Sequence, residues 1–329
     1  MAVRISFEEM KAQFRRVLLN LGFSEKRADL CAAIFAENSR DGVYSHGVNR
    51  FPVFVQLVKE GLVVPEAEPE QTGQHGALAY WDGHRAPGMV TATRATEQAI
   101  ALAKEHGIGC VAVKNTNHWM RGGTYGWQAA EAGCVAICAT NTIANMPPWG
   151  GKEPRLGNNP LVIAIPRENG HIVLDMAMTQ FSFGKLQEYE LKGEELPVAG
   201  GYDETGALTT DPEAIRTTGR SLPIGYWKGA GLSLVLDVLV ASLSGGRSVA
   251  EITAQGKEYG VSQLFICIDA ARQNEAIIEN ILAYTKACEP VHAGGPVRYP
   301  GENTLATRVR NEKEGIPVNE EIWQQVLAL

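Results

Sequence analysis

The sequence predicts a mixed α/β protein that carries a helical body at its N-terminus and is not a Rossmann nucleotide-binding fold. Three observations lead there. Apolar residues keep a helical period as far as Val58. Strand and helix patterns then alternate from Ala77 to Lys286. No G-x-G-x-x-G sits between a strand and a helix, since Gly107-Ile108-Gly109 precedes a strand and Gly229-Ala230-Gly231 lacks its third glycine.

Taken in order, Ser6 and Glu9 form a capping box for a first helix, whose Phe7, Met10, Phe14, Val17 and Leu18 share a face until Gly22 stops it. Ser24 is placed to cap a second helix through Ala28, Cys31, Ala32 and Phe35, ended by Arg40-Asp41-Gly42. A third runs from Ser45 to Val58. The stretch Val64–Glu70, rich in Pro and Glu, breaks all periodicity and reads as a linker. Strands are expected at 77–81, 110–113, 135–140, 161–166, 172–175 and 263–269, and helices at 90–106, 125–132, 230–243 and 274–286. Asn319 is placed to cap a last helix that returns to the N-terminal ones. The expected domains are 1–72, helical and joined by C-terminal helices from 290–329, and 73–289, the sheet domain.

Composition excludes several classes. The 329 residues suffice for two or three domains of ~100 to 200 residues each. With 30 Lys plus Arg against 37 Asp plus Glu the formal charge is −7, and no basic stripe suits nucleic acid. No apolar run approaches the roughly 18 residues of a membrane span, and the N-terminus does not read as a signal peptide; a cytoplasmic protein is expected. Six scattered cysteines without a C-x-x-C pair read as small buried hydrophobes. The seven histidines form no metal-binding pair, so no metal is expected. Nucleophile elbow and phosphate loop are both absent.

Two constellations carry chemistry. In Ser45-His46-Gly47-Val48-Asn49-Arg50, an imidazole and a guanidinium lie four apart and would share a helix face. Arg50 can hold a carboxylate while His46 moves a proton near neutral pH. In Asn117-His118-Trp119-Met120-Arg121-Gly122-Gly123, polar and ring-bearing residues cluster just past a strand end, where ligands often bind.

Together with Gly157-Asn158-Asn159-Pro160, Asp175-Met176, Lys228-Gly229 and Pro300-Gly301-Glu302, these segments resemble the type 2 malate/L-lactate dehydrogenase family, in order from about residue 5 to 310. Longer matches over 42–52, 117–130, 146–150 and 225–229 resemble a branch of that family that reduces a diketo sugar acid. The resemblance implies a sulfolactate-dehydrogenase-like, non-Rossmann α/β fold, with a large mixed β-sheet flanked by helices and a helical domain built from both termini. It implies a nicotinamide cofactor, with NADH preferred and NADPH the alternative. It also implies a homodimer with the cofactor site near the subunit interface, and a sugar-acid substrate.

Carried over by position, His46 matches the family's proton donor and Arg50 its carboxylate anchor, with His118 the alternative acid. Ser45 and Arg121 join the substrate site. The cofactor stations fall on Thr142, on His171, Ile172, Val173, Leu174, Asp175, Met176 and Ala177, on Trp227 and Lys228, and on Gly301, Glu302 and Asn303. The implied reaction needs a protonated His46, with Trp119 and Trp149 walling the pocket and positive charge gathered at Arg50, Arg121 and Lys228. Another 2-oxo acid as substrate, or an inactive cofactor-binding homologue, are the alternatives. The sequence departs from the usual Gly-Thr-Asn-Pro at Asn158 and around Asp175 and Glu302, which leaves the choice of cofactor open.

Overall fold

The computed structural model of the chain describes residues 2–292 and 295–329. It opens with strand β1 (Ala2–Ile5) and helices α1 (Phe7–Asn20), α2 (Glu25–Arg40) and α3 (Phe51–Lys59). Ser6 Oγ accepts the Glu9 N–H at 3.2 Å, as its spacing predicts. Ser24 stands at the α2 N-cap without a side-chain capping bond; its N–H donates to Glu66 Oε1 instead. The helix expected from Ser45 is broken. A 3-10 turn covers Tyr44–His46, and a Cβ on Gly47 would lie 2.2 Å from Ser39 Oγ, so this turn presses on α2. The α-helix begins only at Phe51, with Pro52 in its first turn, and His46 and Arg50 therefore share no helix face.

The middle of the chain supplies β2 (Glu70–His75), β3 (Leu78–Asp82), α4 (Gly88–His106), β4 (Ile108–Thr116), α5 (Gly123–Glu131), β5 (Cys134–Thr140), β6 (Ala144–Met146), β7 (Leu156–Gly157), β8 (Leu161–Ile165) and β9 (Ile172–Met176). Then come α6 (Phe183–Lys192), β10 (Gly201–Tyr202), β11 (Leu208–Thr209), α7 (Pro212–Thr218), α8 (Trp227–Ser244), α9 (Val249–Ala254), β12 (Val261–Asp269) and α10 (Glu275–Lys286). Seven strands form one mixed sheet in the order β2-β3-β4-β12-β5-β8-β9, parallel only between β3 and β4. Edge strand β2 has five exposed residues out of six and shows no alternation, which is why the sequence signals no strand between the linker and Ala77.

Strand alternation sorts the sheet's two faces. Val111, Val113, Cys138, Phe265 and Cys267 turn toward α4 and α5, whereas Ala112, Ala139 and Leu264 turn toward α8. By length and composition α8 is apolar enough to cross a membrane, with a mean hydropathy of 1.3. That corrects the expectation that no apolar run approaches a span's length, because Lys228 and Asp237 interrupt the helix without lowering its average below a span's. One face of α8 packs Ala230, Leu236 and Val240 on the sheet, and Asp237 accepts from Asn141 Nδ2 at 2.8 Å. The other face leaves Leu234, Val235 and Val238 more than half exposed.

The chain ends with α11 (Glu302–Glu314), β13 (Ile316–Asn319) and α12 (Glu320–Ala328). Strand β13 pairs antiparallel with β1, and Asn319 Oδ1 caps α12 by accepting from Glu321 and Ile322. Trp323 and Val326 join the aromatic core of α1 to α3, where Phe14, Phe35, Phe51 and Phe54 pack with ring centroids as close as 4.3 Å. The six cysteines are unpaired; Cys288 is exposed and Cys110 half-buried, the other four buried.

Candidate active site

Because β12 runs antiparallel beside β4 with Val261 opposite Thr116, the end of one strand and the approach to the other meet at the same sheet edge. The chain leaves β4 through Asn115 and Met120, both at positive φ, an uncommon setting for residues other than glycine. Asn117, buried, anchors this turn by donating to the carbonyls of Arg85 and Ala86. The turn folds back so that Met120 N–H donates to His118 Nδ1 at 2.9 Å.

The turn faces a cavity of about 1050 Å³. Its walls bring together Ser45, His46 and Arg50 from the N-terminal turn, His118 and Arg121 from the β4 exit, and Thr142 after β5. Val173, Leu174 and Asp175 of β9, then Ala177 and Gly301, complete them. The start of α6 closes one side: Gly184 lies so near that a Cβ there would be 2.2 Å from Ser45 Cβ. The rings of His46 and His118 stack with centroids 5.6 Å apart, and Ser45 Oγ lies 3.1 Å from His46 Nδ1.

Both imidazoles are held neutral. Burial, then the charge of Arg50, pushes His118 down to about 3. Burial, then the charges of His118, Arg50 and Arg121, holds His46 well below its ordinary value. The protonated His46 expected from the sequence is therefore corrected: burial and the neighbouring cations hold the ring neutral. A second difference concerns Arg121. Its Nη1 donates to Asp41 Oδ2 at 2.8 Å, and Arg308 and Arg40 bind the same carboxylate. Burial works to raise the Asp41 pKa, but these three cations hold it below the usual carboxylate range. On β9, Asp175 Oδ2 accepts the Gly123 N–H at 2.8 Å, yet burial outweighs this bond and Arg121 and raises its pKa.

The other expected residues lie elsewhere. His171 accepts the Arg167 N–H on Nδ1 and packs against Trp127; neither it nor Ile172, Met176, Glu302 or Asn303 lines the cavity. Glu302 is paired with Lys286. Trp227 and Lys228 lie at the exposed start of α8, outside the cavity, and Trp149 is half exposed against Tyr226. Trp119 lines the cavity. Two acidic residues at the site carry no signal in the sequence. Glu258 sits in a polar turn, and Asp41 reads only as a helix stop. Among the described residues no cluster of His, Cys, Asp or Glu is placed to hold a metal ion.

The sequence profile of the malate/L-lactate dehydrogenase family matches residues 5–327. The chain belongs to that family. It is 46% identical to a 2,3-diketo-L-gulonate reductase of Citrobacter koseri, across 99% of this chain and 100% of that one. A 2,3-diketo-L-gulonate reductase of Escherichia coli is 45% identical over the same shares. Solved structures agree in fold. A dehydrogenase from Sinorhizobium meliloti superposes with a TM-score of 0.91 at 27% identity, covering 100% of this chain and 98% of that one. Sulfolactate dehydrogenase from Methanocaldococcus jannaschii gives 0.86 at 29%, covering 98% and 95%. The family's mixed-sheet, non-Rossmann architecture explains the missing glycine fingerprint. The protein is an oxidoreductase of this family, and membership implies a nicotinamide cofactor and a small-molecule substrate.

Proposed function

We propose that this protein reduces the C2 carbonyl of 2,3-diketo-L-gulonate to 3-dehydro-L-gulonate, with NADH preferred over NADPH, and does so as a homodimer. The reading rests chiefly on one observation: His46, His118 and Arg50 converge on a single cavity whose other wall is the β9 segment. The 46% identity to a reductase of that name supports the substrate.

The cavity fits a nicotinamide cofactor together with a small acid. Its volume stands at the upper end of ligand sites, ~300–1,000 Å³. Asn145 on its wall has a buried side-chain oxygen without a hydrogen-bond partner among the described residues, an acceptor suited to a carboxamide N–H. Thr142, Asn145, Val173 to Asp175 and Gly301 are the residues that would hold the cofactor. When bound, a reduced nicotinamide supplies the hydride.

This chain's own residues do the rest. Arg50 pairs with the substrate carboxylate and sets the C2 carbonyl facing the hydride donor. That pairing offsets one of the charges that keep His46 neutral, so the imidazole takes up a proton. His46 Nδ1–H then rests on Ser45 Oγ, and Nε2–H gives its proton to the carbonyl oxygen as negative charge builds there. His118 cannot take this part without losing its bond from Met120, because Nδ1 already accepts an N–H. It serves as a neutral donor through Nε2–H.

The dimer reading rests on α8. Trp227 and Lys228, matched by family resemblance to cofactor contacts, lie exposed beside the apolar face of Leu234, Val235 and Val238. A second copy on that face covers it and takes both residues to its own cofactor site. Absorbance of the reduced nicotinamide, followed with 2,3-diketo-L-gulonate, oxaloacetate, pyruvate and a cyclic imino acid and with each cofactor, tests the reaction. Fast oxidation with 2,3-diketo-L-gulonate and NADH is expected; cofactor binding without oxidation in any combination overturns it.

A further inference from the structure

We propose that Glu258 selects the substrate class of this site. It admits 2-oxo acids whose chain beyond C2 is neutral and hydroxylated, and turns away those with a second acidic group. The inference rests on the reaction proposed above.

Glu258 lies in the turn before β12, with its side chain 15% exposed. Its Oε2 accepts the Ile143 N–H at 3.0 Å, which fixes the carboxylate against the β5 exit. Its Oε1 stands 3.9 Å from His118 Nε2 and accepts no hydrogen bond among the described residues. The oxygen therefore borders the cavity with its acceptor capacity unspent. A second hollow, of about 10 Å³, is lined by Arg50, His118, Asn117 and Glu258 together. Glu258 thus belongs to the end of the cavity where Arg50 and the two imidazoles gather.

Charge decides what that end accepts. Four arginines line the cavity, and two are already paired: Arg121 with Asp41 and Arg216 with Glu190. Arg298 adjoins Tyr299 and Pro300, and Pro300 binds β9 through the Val173 N–H. Among the described residues Arg50 and Arg298 are outside ion pairs, and of the two only Arg50 also lines the second hollow with His118 and Glu258. One cation receives one carboxylate. A second acidic group on the substrate would meet Glu258 with no counter-charge, and like charges face each other at high cost where water is excluded. A hydroxyl at the same place donates to Oε1 in a charge-assisted bond.

Two measurements test this. In Glu258→Gln the side chain keeps an acceptor for Ile143, so the turn is retained while the charge is lost. The kcat/KM ratio of 2,3-diketo-L-gulonate to oxaloacetate should fall by ~10-fold or more. An unchanged ratio, or an equal loss on both substrates, overturns the proposal and leaves the reaction standing. Wild-type protein gives the second measurement, free of any folding effect. Competitive inhibition by malate, a dianion, should be ~10-fold or more weaker than by threonate, a hydroxylated monoanion of equal chain length. Equal inhibition overturns it. Absence of turnover with every 2-oxo acid sinks the proposed reaction instead, and binding of malate and threonate then still decides the role of Glu258.

Discussion

Met120 donates its backbone N–H to Nδ1 of His118 at 2.9 Å, whereas Nδ1 of His46, the ring stacked on it, faces the Ser45 hydroxyl. A ring whose Nδ1 must accept is poor at holding a second proton. His46, facing a hydroxyl that both donates and accepts, keeps that hydrogen bond on protonation. His46→Ala should lower kcat by ~10² or more, the usual scale of an acid or base. His118→Gln, which keeps an N–H donor, should cost only about tenfold. Steady-state rates at saturating cofactor check both, and a His118→Gln enzyme weaker than His46→Ala would reverse the assignment.

Substrate binding should take up a proton. Both imidazoles are held neutral near pH 7, and an anion on Arg50 offsets a charge that keeps His46 neutral. The affinity for 2-oxo acids therefore rises as pH falls from 8 toward 6, and calorimetry in buffers of different ionisation enthalpy reads the uptake directly. In Arg50→Ala the uptake should shrink and KM should rise by ~30-fold or more. Stability has its own sign. The unfolded rings titrate near ~6.5 while the folded His118 does so at about 3. The folded state binds fewer protons in that window, so stability is lost as pH falls through it, by at most ~1.4 kcal/mol per pH unit for this ring. Denaturant melts between pH 7 and pH 4 measure the slope.

Asp41→Asn should be strongly destabilising. The carboxylate is 3% exposed and pairs with buried Arg121 and half-buried Arg308, so its loss strips both of their shortest ion pair. Breaking such an arrangement costs ~3–5 kcal/mol. A denaturation midpoint within error of the wild type would show that the arginines find other partners.

On α8, Val238→Arg places a charge at the centre of the exposed apolar face. Sedimentation should then give a monomer where the wild-type protein gives a dimer, and cofactor affinity should drop with it if Trp227 and Lys228 act across the interface. A wild-type monomer at micromolar concentration removes the dimer reading.

Periodicity made most of the sheet and the N-terminal helices legible. Strands such as 161–165 and helices such as Gly88–His106 carry their pattern in every turn. The pairing of β1 with β13 was not legible, since four residues at each end of the chain hold no local signal for a partner over 300 positions away. Around the site, His46, Arg50 and His118 stood out because their residue types and spacing suggest chemistry. Asp41 and Glu258 did not. Each is a lone acid in a turn, and its importance arises only from what the fold sets beside it. The expected helix from Ser45 failed for a similar reason, because contact between Gly47 and α2 overrides a helical apolar pattern.

Strand β12 lies at the centre of the sheet, bonded on both sides, yet the turn that leads into it borders the cavity. The scaffold and the side chain proposed to discriminate are thus neighbours in the chain. Lengthening or rewriting the few residues before Val261 would alter what the pocket accepts while every strand pairing stays in place. The β4 exit beside His118, by contrast, holds Asn115 and Met120 at positive φ, which leaves little freedom for exchange. A lineage built on this chain would change its diet far more readily than its chemistry.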